Sequence, residues 1–227
     1  MTNLLADVGQ IKQKYDAILD ATGERFNVFN ILRIWSNEIQ HSRFIAELLN
    51  PKGSHGIGHI PLKLFLQTVL PQDIEDNICK GANIETEKPL GRISTEYNSG
   101  GSVDIAIELE EAIHLPNKFD KDKKPIAAKV IHIENKIYAK DQPKQVKRYS
   151  EEGAHIFYLT LDGRGASSES LDGMGPEDYI QISYKDNITQ WLEKCINAAA
   201  TKPLLRETIA QYLHLIKWFT PVFSDTV

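Results

Sequence analysis

The stretch Lys129–Ile137, KVIHIENKI, alternates with a period of two, and that pattern belongs to a β-strand. Ile131, Ile133 and Ile137 share one face, while Glu134 and Lys136 share the other. Such a strand needs an apolar core on one side and a polar cleft on the other. The motif alone says little about chemistry, because a Glu-x-Lys pair on a strand is most often a solvated ion pair worth under about 1 kcal/mol.

A second alternating run, VDIAIELE, sets Asp104 opposite to Val103, Ile105 and Ile107. If the two strands are neighbours with their apolar faces aligned, Asp104, Glu134 and Lys136 meet on one surface of the sheet. Two carboxylates about 5 Å apart at an effective dielectric near 20 repel by roughly 3 kcal/mol, so such a pair calls for a cation. Hard oxygen ligands suit Mg²⁺ or Mn²⁺, which keep several waters and also bind phosphate. Beside such an ion Lys136 would orient the attacking water and stabilise charge developing on a phosphoryl group.

The rest of the chain frames these strands. Leu4, Leu5, Val8, Ile11, Tyr15, Ile18 and Leu19 have helical spacing and predict a packing helix that ends near Gly23. A second helical region is expected over Phe29–Leu49, broken near His41-Ser42 with Ser42 as a cap, and a third over Pro61–Leu70. No strand is expected before Arg92. From there RISTEY, the turn residues NSGGS and VDIAIELE read as a hairpin, with HIFYLTL and YIQIS as later strands. A basic amphipathic helix is expected over Asp141–Glu151, a mobile loop over Asp162–Asp178, and two helices at the end, the last begun by Pro203. This order predicts one α/β domain with a mixed sheet, hairpins joining its early strands and a helical crossover its later ones. Within it, residues 1–75 form a helical part, 90–183 the sheet core and 185–220 the closing helices.

With 41% hydrophobic and 25% charged residues and no low-complexity block, the chain reads as globular. No apolar run reaches the roughly 18–20 residues of a membrane span, and the first residues lack a basic and then apolar leader, so a cytoplasmic location is expected. Cys79 and Cys195 read as buried thiols. The net charge of −5 argues against gripping nucleic acid by bulk attraction. Between Lys136 and Tyr149, however, five basic residues face one acid, and Lys140, Lys144, Lys147 and Arg148 form a candidate nucleic-acid contact. Lys118, Lys121, Lys123 and Lys124 in the charged loop are a weaker one, diluted by its aspartates.

Other features are less informative. His55 and His59 have i,i+4 spacing, but Gly56 and Gly58 disfavour a regular helix and no third zinc ligand is apparent, so a backbone or helix-entry role is expected. GRGASS at Gly163–Ser168 lacks the Gly-Lys-Ser/Thr end of a phosphate loop. Trp35, Trp191 and Trp218 fall on apolar stripes and are expected in the core.

Asp104, then ENK at Glu134–Lys136, then QVKRY with Gln145 and Tyr149 resembles the PD-(D/E)XK nuclease superfamily, in the branch with a Gln-x-x-x-Tyr motif on the helix after the catalytic strand. NEIQHSRFIAELLNPKGSHGIGH upstream and IFYLTLDG downstream are similar to bacterial members of that superfamily, so the resemblance spans roughly Phe26 to Trp218. It implies a restriction-endonuclease-like mixed sheet of four to five strands flanked by helices, with helical additions at both ends. It implies Asp104, Glu134 and Asn135 as ligands of Mg²⁺ (or Mn²⁺), Lys136 as the catalytic lysine, and Gln145 and Tyr149 fixing the metal, its water or the phosphate. Glu38 matches the position of an extra acidic residue in related nucleases, with Glu47 as its rival. Val103 stands where the family motif has Pro. The activity implied is metal-dependent hydrolysis of DNA, the partner nucleic acid, and the assembly a homodimer, because a double-strand cut needs two sites. The alternatives are a binding or structural module of the same fold without useful activity, favoured by the acidic net charge, and another phosphoryl hydrolase with the same metal geometry.

Overall fold

The computed structural model describes residues 2–23, 25–70, 72–94, 99–115, 126–151 and 153–220. Five strands form one sheet in sequential order: β1 (Asn83–Pro89), β2 (Ser102–Leu115), β3 (Ile126–Lys136), β4 (His155–Thr160) and β5 (Tyr179–Ser183). The β1–β2 and β2–β3 pairs are antiparallel, and the β3–β4 and β4–β5 pairs are parallel. The sheet is therefore mixed, with helices on both faces, as expected. The parallel pairs are reached through crossovers that contain α6 (Gln145–Glu151) and α7 (Ser168–Leu171).

The larger core lies on the sheet face that carries Ile105, Ile107, Ile131 and Ile133. It is covered by α3 (Glu38–Leu49), α4 (Ile60–Val69), α5 (Asp76–Lys80), α8 (Thr189–Ala198) and α9 (Pro203–Phe219). Apolar stripes from Ile45, Leu62, Phe65, Leu192 and Ile216 meet there, and burying each contributes roughly 1.5–3 kcal/mol. Trp191 is fully buried among them and donates its indole N–H to the Pro61 carbonyl at 2.8 Å. The opposite face holds a smaller cluster of Val103, Ala106, Val146, Tyr149, Ile156, Tyr158 and Tyr179 under α6 and α7. Because the smaller layer covers less of the sheet, the cleft opens on its side.

Several expectations are corrected. The helix α1 (Thr2–Thr22) forms where its spacing predicts, yet Val8, Ile11 and Ile18, among its described side chains, are exposed and do not pack on the core. The second helical region breaks earlier than His41-Ser42: α2 (Val28–Ile31) ends before Arg33, which adopts the left-handed conformation, and a single 3₁₀ turn follows. Asn37 caps α3 by accepting from the Gln40 amide, while Ser42 is buried inside that helix. The partner of β2 is β1, not RISTEY. Of RISTEY, Ser94 pairs with Ser99 in an isolated bridge, and residues 95–98 lie outside the described ones. NIETEKP escapes a periodicity reading because an edge strand has one neighbour and a wet flank, and its burial alternates only between exposed and half-buried. The expected loop over Asp162–Asp178 contains α7, capped by Ser167, with Ser170 buried. Trp35 and Trp218 are exposed, unlike Trp191. The lysines of the charged loop lie outside the described residues.

His55 and His59 shape a turn. The Ile57 amide donates to His55 Nδ1, His55 Nε2 bonds the Asn50 carbonyl at 2.9 Å, and His59 opens α4 beside Asp76. Cys79 and Cys195 are buried and free, and burial pushes their thiols up to about 11 and about 12. Among the described residues no helix is long and apolar enough to cross a membrane.

Candidate active site

In the β2–β3 ladder Ile105 pairs with Ile133, and one residue further along it Asp104 and Glu134 come together on the cleft face. Glu134 is buried. Its Oε1 accepts from Lys136 Nζ at 2.7 Å and from Gln145 Nε2 at 2.6 Å, while its Oε2 is buried with no hydrogen-bond partner. Asp104 Oδ2 accepts the Asn135 amide at 2.7 Å. Asp104, Glu134, Lys136, Gln145 and Tyr149 line a cleft of about 460 Å³, closed on another side by Ile93 and the Gly101-Ser102 turn.

The electrostatics follow from burial. Removal from water pushes the Glu134 carboxyl up to about 8, the nearby Asp104 charge pushing the same way against Lys136. Burial likewise raises Asp104 to about 6, against the Asn135 amide and Lys136, which favour the ionised form. For Lys136 burial favours the neutral amine, but Glu134, Asp104 and Glu38 outweigh it and hold the ammonium above its ordinary value.

The helix that follows the strand serves the site through its inner face. Gln145 holds Glu134 and also reaches the Tyr149 hydroxyl at 3.2 Å, and Tyr149 donates to the Ser102 carbonyl at 2.7 Å. Tyr149 thus ties α6 to the entry of β2, two residues before Asp104. A Cβ at Gly101, whose φ is +121°, would sit 3.0 Å from the Tyr149 ring, so this close approach requires glycine. Asp141 ties the crossover to β4 and α7, accepting from the Tyr158 hydroxyl at 2.6 Å and the Ser167 amide at 2.7 Å.

Other expected residues stand elsewhere. The Asn135 side chain is on the opposite sheet face, as alternation requires, and is fully buried. Its amide group bonds the Glu38 carbonyl, the Ser42 hydroxyl and the Tyr184 hydroxyl, so it is a core clamp and not a side-chain ligand. Glu38 lies at the edge of the site, its Oε1 accepting from the amides of Ile137, Tyr138 and Ala139 at 2.7–2.9 Å. Glu47 is turned away and accepts from the Ser54 amide. Arg148 is buried, its guanidinium bonded to the carbonyls of Gly100 and Pro143, which removes it from the basic contact. Lys144 pairs with Asp172 at 3.2 Å, Lys147 is half-buried, and Lys140 is exposed.

Sequence reasoning missed Glu87 and Arg43. Glu87 has a left-handed φ of +51° in the edge strand, pairs with Arg43 at 2.8 Å, and its charge is felt by Asp104. A polar edge strand carries no period that would have exposed it.

The donor set fits a divalent cation. Two adjacent carboxylates, one with an orphaned buried oxygen, disfavour joint ionisation unless a positive ion joins them. Among the described residues no group of three or more His, Cys, Asp or Glu side chains gathers for a metal, so water and substrate oxygens would complete the shell, the arrangement Mg²⁺ prefers.

Comparison with known proteins matches residues 26–214 to the family model of the PD-(D/E)XK nuclease superfamily. No curated protein and no solved structure matches the chain.

Proposed function

The chain belongs to the PD-(D/E)XK nuclease superfamily, and from its site we propose that it hydrolyses phosphodiester bonds in DNA with Mg²⁺ or Mn²⁺. The observation that carries this reading is Glu134: one oxygen is held by Lys136 and Gln145, and the other is buried without a partner beside Asp104. Asp104 and Glu134 would hold the ion. When bound, the ion supplies Lewis acidity, easing deprotonation of the attacking water and neutralising charge on the phosphate.

The remaining work belongs to the chain. Lys136 keeps an ammonium at the cleft wall, where it stabilises the negative charge that builds on the phosphoryl oxygens. Gln145 fixes the rotamer of Glu134 and leaves its second oxygen available to the ion it would hold, and Tyr149 fixes α6 relative to β2. Of Lys140, Lys144, Lys147 and Arg148, Lys140 is the exposed one, so it contributes a phosphate contact. A cut through both strands of a duplex needs two such sites, which two chains would provide.

Cleavage of circular, linear and single-stranded DNA, and of RNA, with and without Mg²⁺ or Mn²⁺ tests this. Wild type should cut DNA only with the cation, and Glu134→Ala and Lys136→Ala should each lower the rate by roughly 100-fold or more. Equal inertness of all three proteins, with the cation still bound by wild type, would leave a binding module of the same fold.

A further inference from the structure

Two residues beyond Lys136 the chain emerges from the sheet and displays Tyr138, 56% exposed. Its ring meets that of Trp35 edge to face at 6.3 Å, and Trp35 meets Trp218 in the same way at 6.3 Å. Trp218 is 64% exposed and Trp35 37% exposed, so three large aromatic side chains stand together in water at one edge of the fold. Their place is tied to the site. Glu38 accepts from the amides of Ile137, Tyr138 and Ala139 and begins α3, while Trp35 lies in the turn just before that helix. From Lys136 to Tyr138 the backbone spans at most about 7 Å. A groove of about 350 Å³ is lined by Ile137 and Phe219, the chain neighbours of Tyr138 and Trp218. Arg164 and Lys185 line it with the acid Asp162.

We infer that Trp35, Tyr138 and Trp218 form a stacking platform for unpaired bases of a DNA strand whose adjacent phosphate lies in the Asp104–Glu134 cleft; this rests on the nuclease reading above. Bases inside a duplex already stack on one another and offer no free face, so an exposed aromatic cluster recognises a strand that is single or locally opened. Phosphate positions for that strand are available along the groove at Arg164 and Lys185. Stacking also suits an acidic protein, because it adds affinity that salt does not screen. The platform would select single strands, frayed ends or flaps over intact duplex.

The test is binding of fluorescein-labelled dT20 and of a blunt duplex of the same length by anisotropy, with wild type in EDTA so that nothing is cut. Trp218→Ala and the double variant Tyr138→Ala/Trp218→Ala carry the comparison, with circular dichroism and melting to show that both remain folded. The double variant should lose roughly tenfold or more in affinity for dT20 and change by less than about twofold for the duplex. Replacing the bases of dT20 by abasic spacers should remove the difference between wild type and variant. Unchanged dT20 affinity, or an equal loss for dT20 and duplex, overturns the platform. If wild type cleaves DNA with Mg²⁺ while the variants bind dT20 like wild type, only the platform fails. If wild type neither binds nor cleaves any DNA, the nuclease reading fails and takes the platform with it, leaving the aromatic cluster as a contact for another protein.

Discussion

Gln145 Nε2 and Lys136 Nζ meet on the same oxygen of Glu134, at 2.6 and 2.7 Å, and leave the other oxygen without a partner. One carboxylate is thereby divided into a held half and an available half. The cation at Lys136 balances the charge, but the neutral amide of Gln145, the first residue of α6, sets the direction by pinning the carboxylate from the helix side.

If Glu134 holds the ion as proposed, Gln145 acts on that ion through Glu134. Gln145→Ala should weaken Mn²⁺ binding and lower activity by about 10–100-fold, the usual size for a residue that orients a ligand. Calorimetric titration with Mn²⁺ beside cleavage rates checks it. A fall in rate with unchanged Mn²⁺ affinity would place Gln145 on the substrate instead.

The raised carboxyl groups make a signed prediction for the metal-free protein. Glu134 moves from 4.5 to about 8 and Asp104 from 3.8 to about 6, so both are favoured neutral in the folded state. Their contribution to stability is full below the unfolded values and is lost as pH rises, through about 6 for Asp104 and about 8 for Glu134. His41 and His132 run the other way. Burial lowers both from 6.5 to about 4, so their contribution is full above 6.5 and is lost as pH falls through about 4. Above about pH 7.5 those histidines are neutral in either state, and the remaining decline is shared by Glu134 with the raised thiols of Cys79 and Cys195, whose share Glu134→Gln leaves in place. Melting of the protein in EDTA should therefore decline from pH 7.5 to 9, Glu134→Gln should flatten that limb, and Mg²⁺ should raise the wild-type midpoint more at pH 8.5 than at pH 6. A limb of equal slope in wild type and Glu134→Gln would place the titration elsewhere.

What the sequence made legible follows from which forces leave a period. The two faces of β3 could be read because core and cleft impose opposite demands on alternate residues, and Ile131 and Ile133 are buried in the larger core while Glu134 and Lys136 lie across the strand from them. The strand β1 left almost no period, because Ile84 is the only aliphatic residue along an edge strand whose other partner is water. Arg148 looked like part of a basic face because its partners are main-chain carbonyls, those of Gly100 and Pro143, and a carbonyl has no signature in side-chain identity. Trp35 and Trp218 sit at helical spacing with buried neighbours, yet they lie where the covering layer ends, and spacing does not report where a layer ends.

Arg148 and Lys140, read alike from sequence, should behave differently. Arg148→Ala removes a buried cation from two carbonyls and should cost about 3–5 kcal/mol in urea unfolding. Lys140→Ala should leave stability within about 0.5 kcal/mol and lower the salt dependence of DNA binding by about one phosphate contact. The slope of log affinity against log salt for each folded variant decides it, and an unchanged slope for Lys140→Ala would remove that contact.

Glu38 presents the sharpest choice between holding the fold and holding the ion. Its Oε1 collects three amides from Ile137, Tyr138 and Ala139, and it stands in the first turn of α3, where the helix dipole favours a negative charge. The carboxylate therefore acts as a cap on the exit of β3, fixing the backbone directly after Lys136. Glu38→Ala leaves those amides without their acceptor and should cost about 2–4 kcal/mol. Glu38→Gln keeps an acceptor oxygen and should recover more than half of that loss. As a cap, Glu38→Gln should also retain Mn²⁺ affinity within about threefold of wild type, since in the proposed site Asp104 and Glu134 would hold the ion. As a ligand it would lose about 10-fold or more while remaining folded. Urea unfolding paired with Mn²⁺ titration of the same two variants separates the roles, and a large loss of affinity in Glu38→Gln would move this residue from the backbone to the metal.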